Sequence, residues 1–568
     1  MQKKLSALAL ASALTLCLTA CEKEKPQPQE TADLFFTGGP IYTDNDAAPK
    51  AEAVAVKGDR ILAVGARADL DKLIGPATKV VDLAGAALYP GFTDAHAHFL
   101  GIGMRELTLN LEGVGSIDEL VDIIASNVEE SETGALVFGR GWIETGWPEG
   151  RFPTRDDLDP VSPDNPVILV RADGHALVAN SAAMKAAGVD ETTPDPEGGR
   201  IEKDADGRPT GMFIDHAMSL LASLQSAPSE KKKIEAYEAA SDVYASYGWT
   251  GLHNMSVDPA DVPIMEKLAA DGGVKLRVYN ALDKEGLDWL VDNTPHTDAT
   301  GRVITRAMKL YADGALGSRG AALSEPYSDK PDTSGLLLMK QDEAEALMTR
   351  ALRNGVQVMT HAIGDRGNQL VLDWYQEAFE AVPPEERKVA DPRWRIEHAQ
   401  ILHVEDIPRF AQLGVIPSMQ PSHAIGDFFF APARLGPDRL AGAYAWQSLI
   451  DAGSIVPGGS DAPVERGDPL IEFYAAVARK SLDGYSDANW HPEQAVTREE
   501  ALKMFTAWPA YASFQEKDLG EIAPGEFADF TVFSKDIMTV PEAEILKAKP
   551  VMTVVGGVIV YKASEQTP

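Results

Sequence analysis

The stretch that decides the fold is Pro90-Gly91-Phe92-Thr93-Asp94-Ala95-His96-Ala97-His98-Phe99. An apolar run follows a Pro-Gly turn and ends on two histidines separated by one residue. Side chains two apart on a strand share a face, so both imidazoles point into one space. Seven further segments downstream have the same texture of a turn, an apolar run and a polar end. They are GWTGLHNM (248–255), VKLRVYNA (274–281), RAMKLYADG (306–314), GVQVMTHAIG (355–364), RWRIEHAQ (393–400), GVIPSMQPS (414–422) and SIVPGGSDAP (454–463). Segments with helical periodicity lie among them: KKKIEAYEAASDVYASY, QDEAEALMTRALRNG and NQLVLDWYQEAFEAV. Eight strands alternating with helices predict an α/β chain with a (β/α)8 TIM-like barrel over 91–505.

Working outward, two more strand-like runs, ALVFGRGW and PVILVRADGH, fall in a gap too long for one crossover. They place an insertion at about 110–225, folded over the barrel mouth. Both chain ends read as short strands, LFFTGGPIYT and AEAVAVKGDRILAVG before the barrel and ADFTVFSKDI and KPVMTVVGGVIVY after it. Either end alone is marginal, so 33–90 and 506–568 are expected to pair into one small β-sandwich-like domain.

Composition narrows the function classes. Among 568 residues, 44% are hydrophobic, which excludes a disordered chain. The formal charge is −34 with no basic stripe, which argues against a nucleic-acid partner. Both cysteines, Cys17 and Cys21, lie in the first 21 residues. The order MQKK, then LSALALASALTLCLTA, then Cys21 is that of an export signal. The run Leu18-Thr19-Ala20-Cys21 resembles a bacterial lipobox, which implies cleavage after residue 20 and lipid attachment through Cys21. The polar, Pro-rich residues up to 32 would form the tether. With Glu22 after the cysteine, the expected location is the periplasm, anchored to the outer membrane. No thiol remains for a cysteine protease or a Cys-ligated zinc site.

The chemistry-bearing residues stand at strand ends. His361 follows VMT, His398 ends RIEH and Asp461 follows GGS; with His96 and His98 they converge on the carboxyl ends of strands 1, 5, 6 and 8. Neutral imidazoles with a carboxylate suit zinc or a similar divalent ion such as manganese. A barrel active site lies at those ends.

PGFTDAHAHF, KLYADGALGSRGAAL, MTHAIGDRG, RIEHAQ and GGSDAPV, in that order, resemble the amidohydrolase superfamily of metal-dependent hydrolases. Within it they resemble the branch of the N-substituted formamide deformylase and YtcJ-like proteins. The resemblance implies one or two ions. His96, His98 and Asp461 would hold the more buried one, and His361 with His398 the second. Lys309 stands where such enzymes place a bridging lysine carboxylated by carbon dioxide; otherwise it stays an ammonium paired with Asp313 or Asp461. Asp461 would move the proton between water and leaving nitrogen. His253 and His423 are candidate donors to the oxyanion. Arg319 would bind a substrate carboxylate or pair with Asp313, which itself either borders the pocket or seats the ADGALGSRG loop. Trp142, Trp147 and His175 in the insertion, and the run FFFAP (428–432), are candidates for the pocket wall. The implied activity is hydrolysis of a small-molecule amide-type carbon–nitrogen bond. The alternatives are a cyclic-amide hydrolase or one-metal deaminase, a phosphoesterase, and a non-catalytic ligand-binding lipoprotein. A homodimer is compatible with the sequence.

Overall fold

The computed structural model describes residues 30–144, 146–171, 176–196, 199–224, 228–487 and 490–564. Cys17, Cys21 and His175 lie outside the described residues. Seven parallel strands form the central sheet, with the two-residue strand His296–Thr297 added antiparallel beside the fourth: β1 (Phe92–Ala97), β2 (Trp249–Val257), β3 (Arg277–Asp283), β4 (Val303–Tyr311), β5 (Gln357–Ala362), β6 (Arg395–His398) and β7 (Ile416–Ser418). They neighbour one another in sequence order.

The eighth expected strand departs from regularity. Residues 454–461 form no ladder, yet they join both neighbours. Met419 N–H donates to Pro457 O and Gly459 N–H to Met419 O, each at 3.0 Å; on the other side Ala95 N–H donates to Gly458 O at 3.0 Å and Asp461 N–H to His96 O at 2.7 Å. Pro457 has no N–H to give a ladder. Gly459 runs so close to β1 that a Cβ there would lie 2.5 Å from His96 N. The segment therefore closes the barrel and, because it presses on β1, carries Asp461 to the two histidines.

Helices cover the barrel for the reasons their sequences suggest. Helix α1 (Glu230–Tyr247) starts at Ser229, whose side chain accepts from Lys232 N–H, and stops at Gly248 in the left-handed region. Helix α2 (Gln341–Asn354) buries Ala344, Met348, Ala351 and Leu352, one stripe at helical spacing. Helix α3 (Asp365–Ala381) buries Val371, Leu372, Tyr375 and Ala378 in the same manner. Inside the barrel Met255, Tyr279, Ala281, Ala307 and Met359 form an apolar plug. The polar layer that follows rests on this floor.

Two further sheets flank the barrel. One has eight strands and joins 34–42, 50–57, 60–65, 79–82 and 87–90 to 530–533, 550–555 and 558–562. It is fastened to the barrel by Phe92 N–H donating to Thr531 Oγ1 at 3.0 Å and by a buried Arg277–Asp529 ion pair at 2.6 Å. The other has six strands, all between residues 109 and 215, and includes 137–142 and 167–171. Its aromatic and aliphatic core is separate from that of the barrel. Among the described residues no helix is long and apolar enough to cross a membrane.

Candidate metal centre

At the carboxyl ends of the strands, Asp461 offers one oxygen to each of two histidine groups. Its Oδ1 lies 3.2 Å from His98 Nε2 and 3.5 Å from His96 Nε2. Its Oδ2 lies 3.7 Å from His423 Nε2. His96, His98 and Asp461 are close enough to share one ion, and so are His398, His423 and Asp461. His361 adjoins the second group, its ring 4.5 Å from that of His398. Thus His423, expected only as a donor, stands at ligand distance.

The backbone is held in uncommon conformations here. Asp461 has φ 59° and His398 φ 74°, both in the left-handed region that side chains with a Cβ disfavour. Such strain persists only where the surroundings enforce it.

Each imidazole is set by a partner on its far side. His96 Nδ1 donates to Glu397 Oε2 at 2.6 Å, which leaves Nε2 with a lone pair facing the site. Glu397 is fully buried and held by Arg395 Nε at 2.7 Å, and Arg395 also donates to Ala95 O and Ser418 Oγ. The Arg395 guanidinium and His96 hold the Glu397 carboxyl well below its usual range despite burial. His398 Nδ1 donates to Gln420 Oε1 at 2.7 Å. Burial lowers His96 to about 4 and His361 to about 3, and in both cases the nearby Lys309 adds to it. At neutral pH both are therefore neutral, the form that ligates. Asp461 resists burial, which would raise it; His98, His96 and His398 hold it well below the usual carboxylate range.

The donor set fits a divalent cation. His361 Nε2, His423 Nε2 and Asp461 Oδ1 are buried atoms with no hydrogen-bond partner. Buried polar atoms left unpaired cost about 1–3 kcal/mol each, and those of His423 and Asp461 belong to one group of side chains spaced to share an ion. Neutral histidines and an ionised carboxylate are what zinc or a similar ion takes. Lys309, 2% exposed, places Nζ 3.3 Å from His96 Nε2, and burial lowers it to about 8.

The family follows from this strand-by-strand arrangement and from residues 79–561, which match the model of the amidohydrolase family. The chain belongs to that family. It is 36% identical over 538 residues to YtcJ of Bacillus subtilis, a protein whose name places it among the amidohydrolases, covering 93% of this chain and 99% of that one. It is 28% identical over 546 residues to the N-substituted formamide deformylase of Arthrobacter pascens, covering 93% and 98%. A crystal structure of an uncharacterized metal-dependent hydrolase from Pyrococcus horikoshii superposes with a TM-score of 0.73 at 26% identity, over 90% of this chain and 99% of that one. An amidohydrolase-family barrel with two ligand clusters makes the protein a metal-dependent hydrolase of amide-type carbon–nitrogen bonds.

Other expected site residues lie elsewhere. His253 is buried in the barrel with Nδ1 2.7 Å from Arg395 Nη1 and its ring beside Tyr279, so it supports the Arg395–Glu397 pair and offers no donor at the mouth. Asp313 is a loop anchor: its carboxylate accepts from the backbone N–H of Ala322, Ile363 and Gly364 at 2.8–2.9 Å. Three backbone donors fill it, and its Oδ1 lies 3.6 Å from His361 Nε2. Arg319 pairs with Asp329 through Nε and Nη2, not with Asp313, so its charge is spent within the loop. Trp142 is fully buried in the inserted sheet and donates Nε1–H to Leu169 O at 2.9 Å; it is core of that sheet, not pocket. Phe428 packs on Tyr485 and Trp490, while its neighbour Phe429 is 73% exposed. Glu397, Arg395, Gln400 and Gln420 complete the site and were not anticipated. The opposite charges of Arg395 and Glu397, two apart in the strand Arg-Ile-Glu-His, were the available signal for the first two.

Proposed function

We propose that the protein hydrolyses N-acyl or N-formyl bonds of small, non-peptide amides with water as the nucleophile. The observation that carries this reading is that Asp461 is shared at the strand ends between two groups spaced to hold an ion, one with His96 and His98 and one with His398 and His423. The name of the related Arthrobacter deformylase supports the bond class. Zinc or manganese is the favoured ion, and bound at this centre it would lower the pKa of a water toward neutral and polarise a carbonyl oxygen.

The chain's own residues do the remainder. Asp461, ionised and facing both histidine groups, accepts the proton of the attacking water and returns it to the leaving nitrogen. Glu397 keeps His96 Nε2 directed at the centre. His423, with Nε2 unpaired and turned inward, donates to the oxygen that gains charge. Lys309, buried at the centre with its amine lowered to about 8, would on adding carbon dioxide and releasing a proton to water offer carbamate oxygens to the ions. The Cys21 motif supports export and lipid anchoring in the periplasm.

The test is a screen of zinc- or manganese-loaded protein against N-formyl amines, N-acyl amino acids, dipeptides, lactams, phosphoesters and simple esters. Release of a free amine from the first two classes is expected. Turnover confined to esters or phosphoesters would overturn the reading.

A further inference from the structure

His423 is 7% exposed, and Gln400 Nε2 lies 2.9 Å from its Nδ1, so Nε2 is the nitrogen that faces the mouth. That atom is buried and has no hydrogen-bond partner. Two carboxylates approach it, Asp461 Oδ2 at 3.7 Å and Glu465 Oε1 at 3.9 Å. They differ in what they can serve. Asp461 belongs to both groups spaced to share an ion, and Glu465 belongs to neither. The Glu465 side chain is 33% exposed against 10% for Asp461, which places it farther toward solvent on the same wall. Among the described residues no side chain or backbone N–H donates a hydrogen bond to its carboxylate, and His423 is the one group within ion-pair distance.

The chain around Glu465 fixes its backbone and leaves the carboxylate open. The turn that carries Asp461 closes with Val464 N–H donating to Asp461 O at 2.9 Å, and Glu465 follows directly. Arg105 Nη1 donates to the main-chain oxygen of Glu465 at 3.1 Å. A Cβ added to Gly426 would lie 3.7 Å from Glu465 Oε1 and clear of other side chains, so nothing at 426 covers the carboxylate. At the other end of the histidine row stands Tyr311, 37% exposed, with its ring 5.5 Å from that of His361. The rings of His361 and His398 are 4.5 Å apart and those of His398 and His423 5.9 Å. The mouth thus presents an aromatic ring, the ion-binding histidines and then a carboxylate.

The cations near this row are already engaged. Arg395 is held by Glu397, Arg319 by Asp329, and Arg105 donates through Nε to Glu106. Lys309 is 2% exposed and lies against His96 Nε2. A carboxylate on a substrate finds none of these four free, whereas an ammonium finds Glu465. A partly desolvated carboxylate accepts charge-assisted hydrogen bonds, which are roughly twice as strong as neutral ones.

We propose that Glu465 is a specificity-determining residue that receives an ammonium group of the substrate, so that the preferred amides carry a primary amine on a flexible chain, as mono-acyl or mono-formyl diamines do. This rests on the reading of the mouth as a hydrolytic centre, but the recognition is measurable without turnover.

The experiment is calorimetric binding of three hydroxamates to the full, zinc-loaded chain. A hydroxamate chelates zinc and is not turned over. Those of δ-aminovaleric acid, hexanoic acid and adipic acid (its monohydroxamate) differ at the far end, which is ammonium, methyl or carboxylate. The ammonium compound is expected to bind about tenfold more tightly than the methyl compound, and the carboxylate compound more weakly than either. Glu465→Gln is expected to bring the ammonium and methyl compounds to nearly equal affinity, and Glu465→Lys to make the carboxylate compound the tightest. Glu380→Gln removes the same charge from an exposed position at the far end of α3 and is expected to leave the wild-type ordering in place. Equal wild-type affinities would overturn the proposal. So would an ammonium preference that survives Glu465→Gln, or one that weakens as much in Glu380→Gln. The expected ordering without hydrolysis of any amide would remove the functional reading and leave Glu465 as a cation-recognition site, whereas no binding of any of the three would remove both.

Discussion

The barrel mouth and the inserted sheet both bury polar atoms, and they treat them in opposite ways. In the inserted sheet Trp142 donates to Leu169 O, Trp147 donates to Val114 O, and the Asn180 side chain bonds Ser162 O and Asn165 O. At the mouth, His361 Nε2, His423 Nε2 and Asp461 Oδ1 remain unpaired, and His423 Nε2 lies 3.7 Å from the other oxygen of Asp461. Apart from Glu149 Oε2, the described residues of the first region satisfy their own buried side-chain atoms, whereas the unpaired atoms of the second belong to side chains spaced to hold an ion. Residue type alone does not separate them, since tryptophans and histidines serve either purpose. What separates them is whether the chain satisfies its own buried groups.

The comparison breaks most readily at Asp461. Asp461→Asn should cut kcat/KM about 1,000-fold while the thermal unfolding profile stays cooperative, because the residue serves proton transfer and metal and not the core. Full activity would place the proton elsewhere. Trp142→Ala should do the reverse: it should destabilise the inserted sheet by about 3–5 kcal/mol, read by proteolysis or amide exchange, with metal content per chain unchanged. A loss of metal would mean that the insertion helps to shape the centre.

Two smaller effects sharpen the boundary. Glu397→Gln keeps the volume but weakens the grip on His96, so metal affinity should fall about 10–100-fold in a chelator competition. Arg319→Ala removes a partly exposed pair with Asp329 and should change stability by less than about 1 kcal/mol. It should also leave KM for carboxylate-bearing amides unaltered, whereas a raised KM would restore Arg319 to the substrate.

Much of the fold was legible because strand alternation and helical stripes are local signals. The spacing of His96 and His98 required only the period of a strand. The seven regular barrel strands and the three amphipathic helices followed in the same way. The eighth strand misled because Pro457, Gly458 and Gly459 make it bond without a ladder. Glu397 was hidden for a different reason. Alternation sends Glu397 and His398 to opposite faces, and only the left-handed backbone at His398 turns both inward. Trp142 illustrates the remaining gap, since which face of a strand is core depends on a sheet whose partners are distant in sequence. Gln400 and Gln420 carry no charge and no motif, so their duties emerge only from distances.

The central claim is that Asp461 and the histidines grouped around it at the mouth hold a divalent ion. Anomalous diffraction from zinc-loaded crystals, recorded on both sides of the zinc edge, tests it most directly. The account predicts a strong peak bounded by His96 Nε2, His98 Nε2 and Asp461 Oδ1. A fully loaded protein with no peak there, and zinc only at surface carboxylates, would contradict it.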